Sequence, residues 1–390
     1  MLTPNNTEGP LAGLLVADLS RVLAGPFATQ ILGDLGADII KVEAPSGDET
    51  RHWIPPERDG VSTYYLGINR NKSSVVLNFG DEADQELARE LCKRADIVIE
   101  NHKPGGLKKF GLDYDSIRAI NPDVIYASIS GYGTAEGAKL PGYDLTVQAA
   151  SGLMSLTGDP DGPAYRSGVS VFDITTGLQS VIGILSALHH REKTGEGQHI
   201  EVNLLMTALS VMANHSSTYV ASGQVPFRMG NAHPSLFPYE PMPCKDGDII
   251  IVAANDGQFT KLTDVLGVGH LAEDERFSTS EERNRNREIL KPLLIAALMD
   301  KTRKEWFDLL SAAGVACGPI HTIGQGIEFA KELGLEPVVQ VGDGESAIPM
   351  VRNAITFSET PATYRSAPPA LGAQSDDIKS WLSTPLEDTP

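Results

Sequence analysis

Asp173 is the residue whose surroundings most invite a chemical interpretation. It stands in the heptapeptide VFDITTG, residues 171–177, just ahead of an apolar helix predicted over residues 177–192. An aspartate before a helix ordinarily caps free backbone N–H groups with its carboxylate. The same group can act as a nucleophile or a base when it lies in a ligand cleft. The heptapeptide alone leaves both functions open.

The common catalytic fingerprints are missing. The turn SRVLAGP, residues 20–26, holds one glycine, and in GYGTAEG, residues 131–137, the third glycine stands one place too far along for GxGxxG. No GxSxG, HExxH or P-loop sequence occurs. His189 and His190 are neighbours on a predicted helix and point in different directions, so we expect no shared metal there. The sequence thus disfavours a dehydrogenase and predicts no metal site.

Composition limits the classes of partner. The 390 residues suggest two or three domains, and 41% hydrophobic content supplies a sizeable core. A formal charge of −19 opposes non-specific nucleic-acid binding, although local cations can still hold a small anion. The three cysteines, Cys92, Cys244 and Cys317, lack CxxC spacing and predict neither a disulfide framework nor a zinc site. Without a predicted signal peptide or membrane span, we expect a cytoplasmic protein.

The first third of the chain alternates predicted strands with predicted helices. The helices fall at residues 25–36, 82–94 and 114–120, and the strands at 14–19, 37–43, 73–79, 95–101 and 123–130. Such alternation predicts an α/β fold with a parallel sheet covered on both faces. Ligands of such sheets bind at the carboxyl ends of the strands. We therefore expect ligand contacts chiefly from the residues after those ends: 18–21, 43–51, 101–103 and 130–133.

The rest of the chain has a different texture. Residues 145–219 are predicted to be mainly helical, and residues 226–324 combine a β-hairpin pattern with helices, as in a smaller α+β domain. A strand-like run at residues 350–360 and a short helix at residues 376–382 complete the pattern.

Several segments together carry a family resemblance. They are LLVADLSRVLAGPFATQILGDLGADIIKVEAPSGDETR, NRNKSSVVLN, ENHKPGGLKKFGLDYDSI, GYDLTVQAASGLMSLTG, VFDITTGLQSVIGILSALHHREKTGEGQHIEV and GNAHPSLFPYEPMPCKDG. With them the chain resembles the family III CoA-transferases from residue 11 to about residue 324. That family includes formyl-CoA, carnitine and succinyl-CoA:dicarboxylate CoA-transferases, and α-methylacyl-CoA racemase is a relative of the same fold.

The resemblance implies an architecture and partners. It implies a Rossmann-like large domain whose parallel sheet is built from both chain ends, a smaller α+β domain, and an interlocked homodimer. We place the large domain at residues 1–220, the small domain at 226–324, and a return linker with the C-terminal part of the large domain at 325–390. Acyl-CoA and a carboxylic acid are the implied substrates. No permanently bound cofactor, nucleic acid or membrane partner is expected.

The resemblance places Asp173 at the catalytic aspartate. The implied reaction moves CoA from an acyl-CoA, with succinyl-CoA or another short-chain or dicarboxylic acyl-CoA favoured, through an aspartyl anhydride and an aspartyl-CoA thioester. We expect the helix N-terminus near Asp173 to favour its ionised form. Val171 and Phe172 are expected to help exclude water.

The resemblance also implies which residues bind CoA. Val22, Leu23 and Ala24 would contact the pantetheine arm through their backbone. Further CoA contacts are implied for Arg70, Asn71, Lys72, Asn101, Lys103, Lys109, Tyr143 and Asp144. Lysines at positions 103 and 109, where the family more often has arginine, lose bidentate phosphate contacts, so a solvated surface position remains an alternative for each.

Two alternatives to transfer stay open. The racemase relative has histidine where Tyr143 stands, and an unperturbed tyrosine is a poor base at neutral pH, so GYD favours transfer over racemisation at the α-carbon. Packing is an equally plausible function of Tyr143. A non-catalytic CoA-binding protein is the third possibility.

The acyl end of the site has its own candidates. Arg51 and Trp53 follow a predicted strand, and Gly230, Asn231 and His233 belong to a GNAHPS loop suited to closing over an acyl group. For His233, a structural function is as plausible as a contact to a carboxylate.

Overall fold

Six parallel strands form the central sheet of the chain, for which a computed structural model describes residues 6–342, 344 and 347–385. The first elements are β1 (Leu15–Asp18), α1 (Ala24–Asp34), β2 (Asp38–Glu43), β3 (Glu57–Arg58), β4 (Val61–Ser62), α2 (Thr63–Gly67), β5 (Lys72–Val76), α3 (Glu82–Arg94) and β6 (Ile97–Glu100). There follow α4 (Tyr114–Ile120), β7 (Ile125–Ser130), α5 (Asp144–Ala150), α6 (Val171–Thr194), β8 (His199–Asn203), α7 (Leu204–Val211) and α8 (Ala213–Ser222).

The remaining elements continue in chain order. They are β9 (Tyr239–Cys244), β10 (Gly247–Val252), α9 (Asp256–Leu266), α10 (His270–Glu273), α11 (Ser280–Arg285), α12 (Arg287–Leu298), α13 (Arg303–Ala312), β11 (Ala316–Pro319), α14 (Ile323–Glu332), β12 (Val338–Val341), β13 (Ile348–Val351) and α15 (Ser375–Ser383). The predicted α/β class with a parallel sheet is confirmed.

The described residues divide into two units. Unit 1 comprises those of Met1–Leu153, Arg166–Gln224 and Glu336–Pro390, and unit 2 comprises Met154–Tyr165 and Val225–Leu335. The large unit thus draws on both chain ends. The predicted domain ranges 1–220, 226–324 and 325–390 stay a prediction.

The six-stranded sheet has the order β5-β2-β1-β6-β7-β8. In β1, Val16 pairs with Ile39 of β2 and with Ile97 of β6, and all three side chains are buried. Successive β1 residues enter opposite cores, Ala17 on one face and Val16 on the other, because side chains alternate along a strand. Burial on both faces explains why these strands are nearly continuous apolar runs.

The C-terminal segment corrects one expectation. Among the described residues it adds no strand to the six-stranded sheet, whose strands all lie between residues 15 and 203. Instead, β12 and β13 pair only with each other, and α15 buries Ile378 and Leu382 in the core on one sheet face. The Gln374 N–H donates to the Ser74 carbonyl at 3.1 Å. The tail therefore joins unit 1 by covering one sheet face and by hydrogen bonds to the edge strand β5, without adding a strand of its own.

Unit 2 is the expected smaller α+β domain. Its antiparallel sheet has the order β11-β10-β9. Helices α9, α12 and α13 cover it with buried apolar side chains such as Leu262, Leu294 and Trp306. The N–H of Trp306 donates to the Leu298 carbonyl at 2.7 Å, which satisfies the one polar atom of this buried indole.

Helix α6 begins earlier than predicted, at Val171 rather than at residue 177. It is also the one described helix that is long and apolar enough to cross a membrane by length and composition, which the sequence analysis did not anticipate. In the fold α6 packs on α1, α7, β7 and β8, as a core helix does. The expectation of no membrane partner stays a prediction.

Gly177 allows the close approach of α6 to α1. A Cβ built at Gly177 would lie 2.7 Å from the Ala24 carbonyl oxygen, a distance that requires backbone movement. Ala24 begins α1, and Gly177 lies one turn beyond Asp173. The spacing between the two helices therefore depends on the missing side chain.

We predict that Gly177→Ala destabilises the protein by about 1–3 kcal/mol, because the added methyl overpacks a helix contact. The matched control is Gly326→Ala in α14, where a Cβ meets nothing within 4 Å. There the better helix propensity of alanine predicts unchanged or slightly raised stability. Thermal unfolding of both variants is the measurement. Equal melting temperatures for the two would contradict the packing argument.

Candidate active site

A cleft of about 350 Å³ opens in unit 1 at the carboxyl ends of β1, β6 and β7. The chain leaves β1 through α1 toward β2 on one side, whereas β6 pairs on the other side, so the cleft lies where the strand order reverses. The lining segments are residues 21–24, 101–104, 129–131 and 139–143, joined by Glu49, Asp173 and Leu204. Of the predicted residues, Val22, Leu23, Ala24, Asn101, Lys103, Tyr143 and Asp173 meet here.

Asp173 lies in the first turn of α6, but it is not the residue that caps this helix. The Asp144 carboxylate accepts hydrogen bonds from the N–H groups of Phe172, at 2.8 Å, and of Asp173 itself, at 3.2 Å. Asp144 is buried and thus performs the capping function considered for Asp173. The Asp173 carboxylate is left facing the cleft.

Asp144 itself was expected to contact CoA, and that contact stays a prediction. Its carboxylate is occupied by α6 and by the Gln148 side-chain amide, which donates to it from one turn along α5. Gln148 is fully buried and also accepts the Ser167 N–H at 2.8 Å. Two side chains of α5 thus hold α6 in place. Gln148 binds Ser167 in the segment before α6, and Asp144 binds the first turn of α6.

Burial and a second carboxylate change the acidity of Asp173. Burial, and after it the charge of Asp144, raise the pKa of the Asp173 carboxyl to about 7. The expectation that the helix N-terminus would favour the ionised form is therefore wrong in its net effect. Two N–H groups that could have stabilised the Asp173 charge already bind Asp144. A carboxylate of raised pKa is more basic and more nucleophilic than an ordinary aspartate.

Tyr64 of α2 is a neighbour of Asp173 that sequence reasoning missed. Burial, followed by the charge of Asp173, raises the pKa of the Tyr64 phenol to about 12, and the phenol is hydrogen-bonded to the Ser170 side chain. The Trp53 ring packs edge-on against Tyr64 with 5.0 Å between the centroids. Trp53, which was predicted to contact the acyl group, thus packs against Tyr64, the neighbour of Asp173. In the sequence, the adjacent aromatic residues Tyr64 and Tyr65 were the feature that could have pointed to this neighbour.

The turn between β1 and α1 forms one wall of the cleft. The Asn101 side chain accepts the Arg21 N–H at 2.9 Å and donates to the Arg21 carbonyl at 2.6 Å. Val22 follows with a φ of +69°. Leu23 then provides the N-cap of α1 without a side-chain hydrogen bond. The backbone of this wall is therefore held in place by the side chain of another segment.

Three cations line the cleft, and two of them were not among the predicted residues. Lys103 was predicted; Arg21 and Lys139 were not. Arg21 pairs with Glu49 at 3.1 Å, with both side chains about half exposed, so the pair can rearrange for an anionic ligand. The position of Arg21 after a predicted strand could have indicated that it lines the cleft. No feature of the sequence around Lys139 indicates this. These cations share the lining of the cleft with two acidic residues, Glu49 and Asp173.

Arg70, Asn71 and Lys72, which were predicted to contact CoA, are buried and lie outside the lining of this cleft. The Arg70 guanidinium makes a two-pronged contact with Asp34, at 2.6 and 2.7 Å. Asn71 also donates to Asp34, and Lys72 Nζ contacts Asp18 at 3.2 Å. The positive charges of Arg70 and Lys72 are therefore paired inside unit 1, and a contact of these three residues with CoA stays a prediction.

Arg51 is likewise committed to the interior. It binds the Glu43 carboxylate at 2.6 and 2.8 Å and donates to the Pro369 carbonyl, so it ties the C-terminal segment to the sheet. Its contact with the acyl group stays a prediction. Lys109 is exposed, does not line the cleft, and rests its ammonium 4.6 Å from the Phe110 ring centroid.

The remaining predicted residues, Gly230, Asn231 and His233, belong to unit 2. Gly230 has a φ of +62° and donates its N–H to the Gly158 carbonyl at 3.0 Å. The His233 ring packs 4.9 Å from that of Tyr239, and its Nδ1 accepts the Ser235 N–H. A substrate contact by this loop stays a prediction.

Among the residues that the structure describes, no group of three histidine, cysteine, aspartate or glutamate side chains lies close enough together to hold a metal ion. Cys92, Cys244 and Cys317 are all unpaired. Burial raises the pKa of the Cys92 thiol to about 12, which makes it unreactive. Asp173, the predicted nucleophile, does line the cleft.

Comparison with known proteins agrees with this geometry. The family CoA-transferase family III matches residues 11–375. A succinate–glutarate CoA-transferase of Agrobacterium fabrum is 42% identical over 97% of both chains. An acetyl-CoA:oxalate CoA-transferase of Acetobacter aceti is 38% identical over 98% of both chains. The crystal structure of a CAIB/BAIF family protein from Brucella suis superposes with a TM-score of 0.86, at 43% identity, over 97% of this chain and all of that one.

These matches span nearly the whole chain, and the resemblance seen in the sequence is confirmed. The chain belongs to CoA-transferase family III and is a CoA-transferase.

Proposed function

We propose that this enzyme transfers CoA from succinyl-CoA, or another short-chain or dicarboxylic acyl-CoA, to a second carboxylic acid, with Asp173 as the nucleophile. The observation that carries the proposal is a partly buried carboxylate of raised pKa, exposed to a cleft at the switch point of a parallel sheet. The succinate–glutarate and acetyl-CoA:oxalate transferases among its relatives support the choice of small acids.

The proposed reaction conserves one energy-rich bond throughout. An Asp173 oxygen attacks the thioester carbonyl of the donor, and CoA leaves as a thiolate, which forms a mixed anhydride. The thiolate then attacks the Asp173 carbonyl carbon, the donor acid leaves as its carboxylate, and an aspartyl-CoA thioester remains. The acceptor carboxylate attacks the carbonyl of this thioester, expels the CoA thiolate and forms a second mixed anhydride. The thiolate finally attacks the acceptor carbonyl of that anhydride, which releases the new acyl-CoA and the Asp173 carboxylate.

The surroundings of Asp173 suit each partner in this sequence. Arg21, Lys103 and Lys139 can hold the phosphates of CoA, since exposed cations on a cleft rim attract a polyanion even when the net charge is negative. The buried Phe172 lies beside the nucleophile and limits access of water to the anhydride. A raised pKa keeps the free energy of the Asp173 anion high, which favours its acylation.

We further propose a cytoplasmic homodimer, interlocked as in the family resemblance. Leu178, Ile182 and Leu185 form an exposed apolar stripe along α6, and Met206 of α7 is also exposed. Such a stripe along a long core helix supports a protein partner, and a second copy of the chain is the one we propose. The GNAHPS loop of unit 2 and Trp53 are proposed to contact the acyl group.

We predict that the wild-type protein mixed with succinyl-CoA gains a CoA-sized mass on the peptide that contains Asp173, and that hydroxylamine removes it. Asp173→Ala should lose the adduct and at least about 10³-fold of transfer activity, because no other group replaces the nucleophile. Binding of free CoA by the variant should stay within about threefold of wild type. Asp84→Asn, which alters a carboxylate at the start of α3, is the control with unchanged transfer.

Other outcomes would replace the proposal. Retained transfer by Asp173→Ala would refute the nucleophile. Exchange of the substrate α-proton with deuterated water, without an adduct, would indicate a racemase that uses Asp173 as an acid or base. Binding of CoA with neither reaction would indicate a non-catalytic binding protein.

We predict that kcat/KM rises with pH and levels off above about pH 7, since the nucleophile must be ionised and its pKa lies near that value in the free enzyme. Asp144→Asn should move the midpoint to lower pH. The change removes the negative charge that raises the Asp173 pKa, and it leaves an oxygen to accept the Phe172 N–H.

The pH profile of kcat/KM for wild type, Asp144→Asn and Asp84→Asn tests this prediction. Asp84 also accepts a backbone N–H, that of Asn78 at 2.8 Å, but it does not contribute to the Asp173 pKa. A midpoint that is identical in all three enzymes would contradict the electrostatic coupling of Asp144 and Asp173.

A further inference from the structure

Val22 adopts a backbone conformation that its side chain opposes. Its φ of +69° lies in the left-handed region, where a β-branched residue is rare because Cβ approaches the backbone. Such a conformation persists only when the surrounding structure fixes it. Val22 also lines the cleft beside Asp173, so the cause of its conformation bears on the site.

The buried carboxylate of Asp48 binds the backbone of Val22. The Val22 N–H points to the Asp48 carboxylate, at 3.2 and 3.4 Å from its two oxygens. The other partners of Asp48 are the N–H and hydroxyl of Thr50, at 3.0 and 2.8 Å, and Lys41 Nζ at 2.9 Å. Three donors, two from Thr50 and one from Lys41, thus orient the Asp48 carboxylate that accepts the Val22 N–H.

Lys41 holds the same turn at a second point. Its ammonium donates to the Ser20 carbonyl at 2.9 Å, two residues before Val22, while it pairs with Asp48. Both side chains of the pair are only 1% exposed. A buried ion pair contributes little net stability compared with a well-packed apolar pair, whereas this pair contacts the turn at two points.

The charges of the pair are maintained at neutral pH. Burial by itself would lower the pKa of Lys41, but the charges of Asp18, Asp48 and Glu43 outweigh it, and the pKa is raised. Burial would raise the pKa of Asp48, but Lys41 and the Thr50 N–H outweigh it, and the pKa is lowered. Both groups therefore act as full charges where they contact the turn.

We propose that Lys41 and Asp48 are positioning residues of the acyl-CoA site. Their ion pair binds the Ser20 carbonyl and the Val22 N–H, keeps Val22 left-handed, and thereby fixes the backbone wall formed by residues 21–24. Neither side chain lines the cleft, so neither touches the substrate. This inference rests on the proposed function in so far as the cleft is the one that binds CoA.

Asn101 defines the other side of the same wall. It brackets Arg21 by two hydrogen bonds, so the turn is fixed at consecutive residues by two independent clamps. Loss of the Lys41–Asp48 pair should release Val22 toward an ordinary negative φ and displace the wall. Asp173 lies on α6 and not on this turn, so the chemical step should be less affected than binding.

The test is a double-mutant cycle between Asp48→Asn and Val22→Gly. Glycine adopts a positive φ without strain, so it removes the conformational cost that the ion pair must overcome. We expect Asp48→Asn to raise the KM for succinyl-CoA and the Kd of free CoA by about tenfold, with kcat within about threefold of wild type. The double variant should recover at least about threefold of the lost affinity.

Two further variants keep the result interpretable. Thr50→Val removes only the hydroxyl that orients Asp48, and it carries the test if Asp48→Asn does not fold; we expect a KM increase of about threefold, again reversed by Val22→Gly. Asp96→Asn is the matched control, because Asp96 also accepts a backbone N–H, from Leu15, and pairs with an arginine, but at the amino ends of the strands. It should change the melting temperature and not the KM.

Four results would overturn the proposal: folded Asp48→Asn with wild-type KM and Kd, no recovery in the double variant, a loss confined to kcat, or an Asp96→Asn effect of the same size on KM. Calorimetric titration with free CoA separates this inference from the proposed function. Wild-type protein that binds CoA but shows no transfer would refute the function and leave the positioning test valid. Wild-type protein that binds no CoA would refute both.

Discussion

The contact between the Asp144 carboxylate and the first N–H groups of α6 determines much of this site. It satisfies donors that every helix start leaves unpaired, and so it fixes where α6 begins. It also places a negative charge close to Asp173, and that charge adds to the pKa shift caused by burial. One interaction therefore positions the nucleophile candidate and raises its basicity, with α5 as the rigid support.

The local structure, and not the overall charge, determines which cations face the cleft. The chain carries −19, yet Arg21, Lys103 and Lys139 line the cleft while Arg51, Arg70 and Lys72 are neutralised inside unit 1 by partners such as Glu43, Asp34 and Asp18. Interior ion pairs cost desolvation and gain only when their hydrogen bonds are complete, as they are here. Exposed cations at the rim pay no such cost and remain available to an anionic ligand.

Backbone strain at the cleft wall connects these two observations. Parallel strands end at the cleft, and the turn after β1 must redirect the chain into α1 while presenting backbone to a ligand. The interior ion pair of Lys41 and Asp48 lies under that turn, and Asn101 holds its outer side. Polar groups are costly to bury, and those of Lys41 and Asp48 are satisfied in part by the backbone of this turn.

The sequence by itself determined the alternating elements of unit 1, the α+β character of unit 2, the family, and Asp173 as the residue of interest. These features follow from local periodicity and short motifs. It did not determine which carboxylate caps α6 or which cations face the cleft. Those choices depend on partners distant along the chain: Arg51 meets Pro369, Arg70 meets Asp34, and Asp144 meets Phe172. Only the tertiary structure decides them, because the direction of a polar side chain is set by the partner that satisfies it.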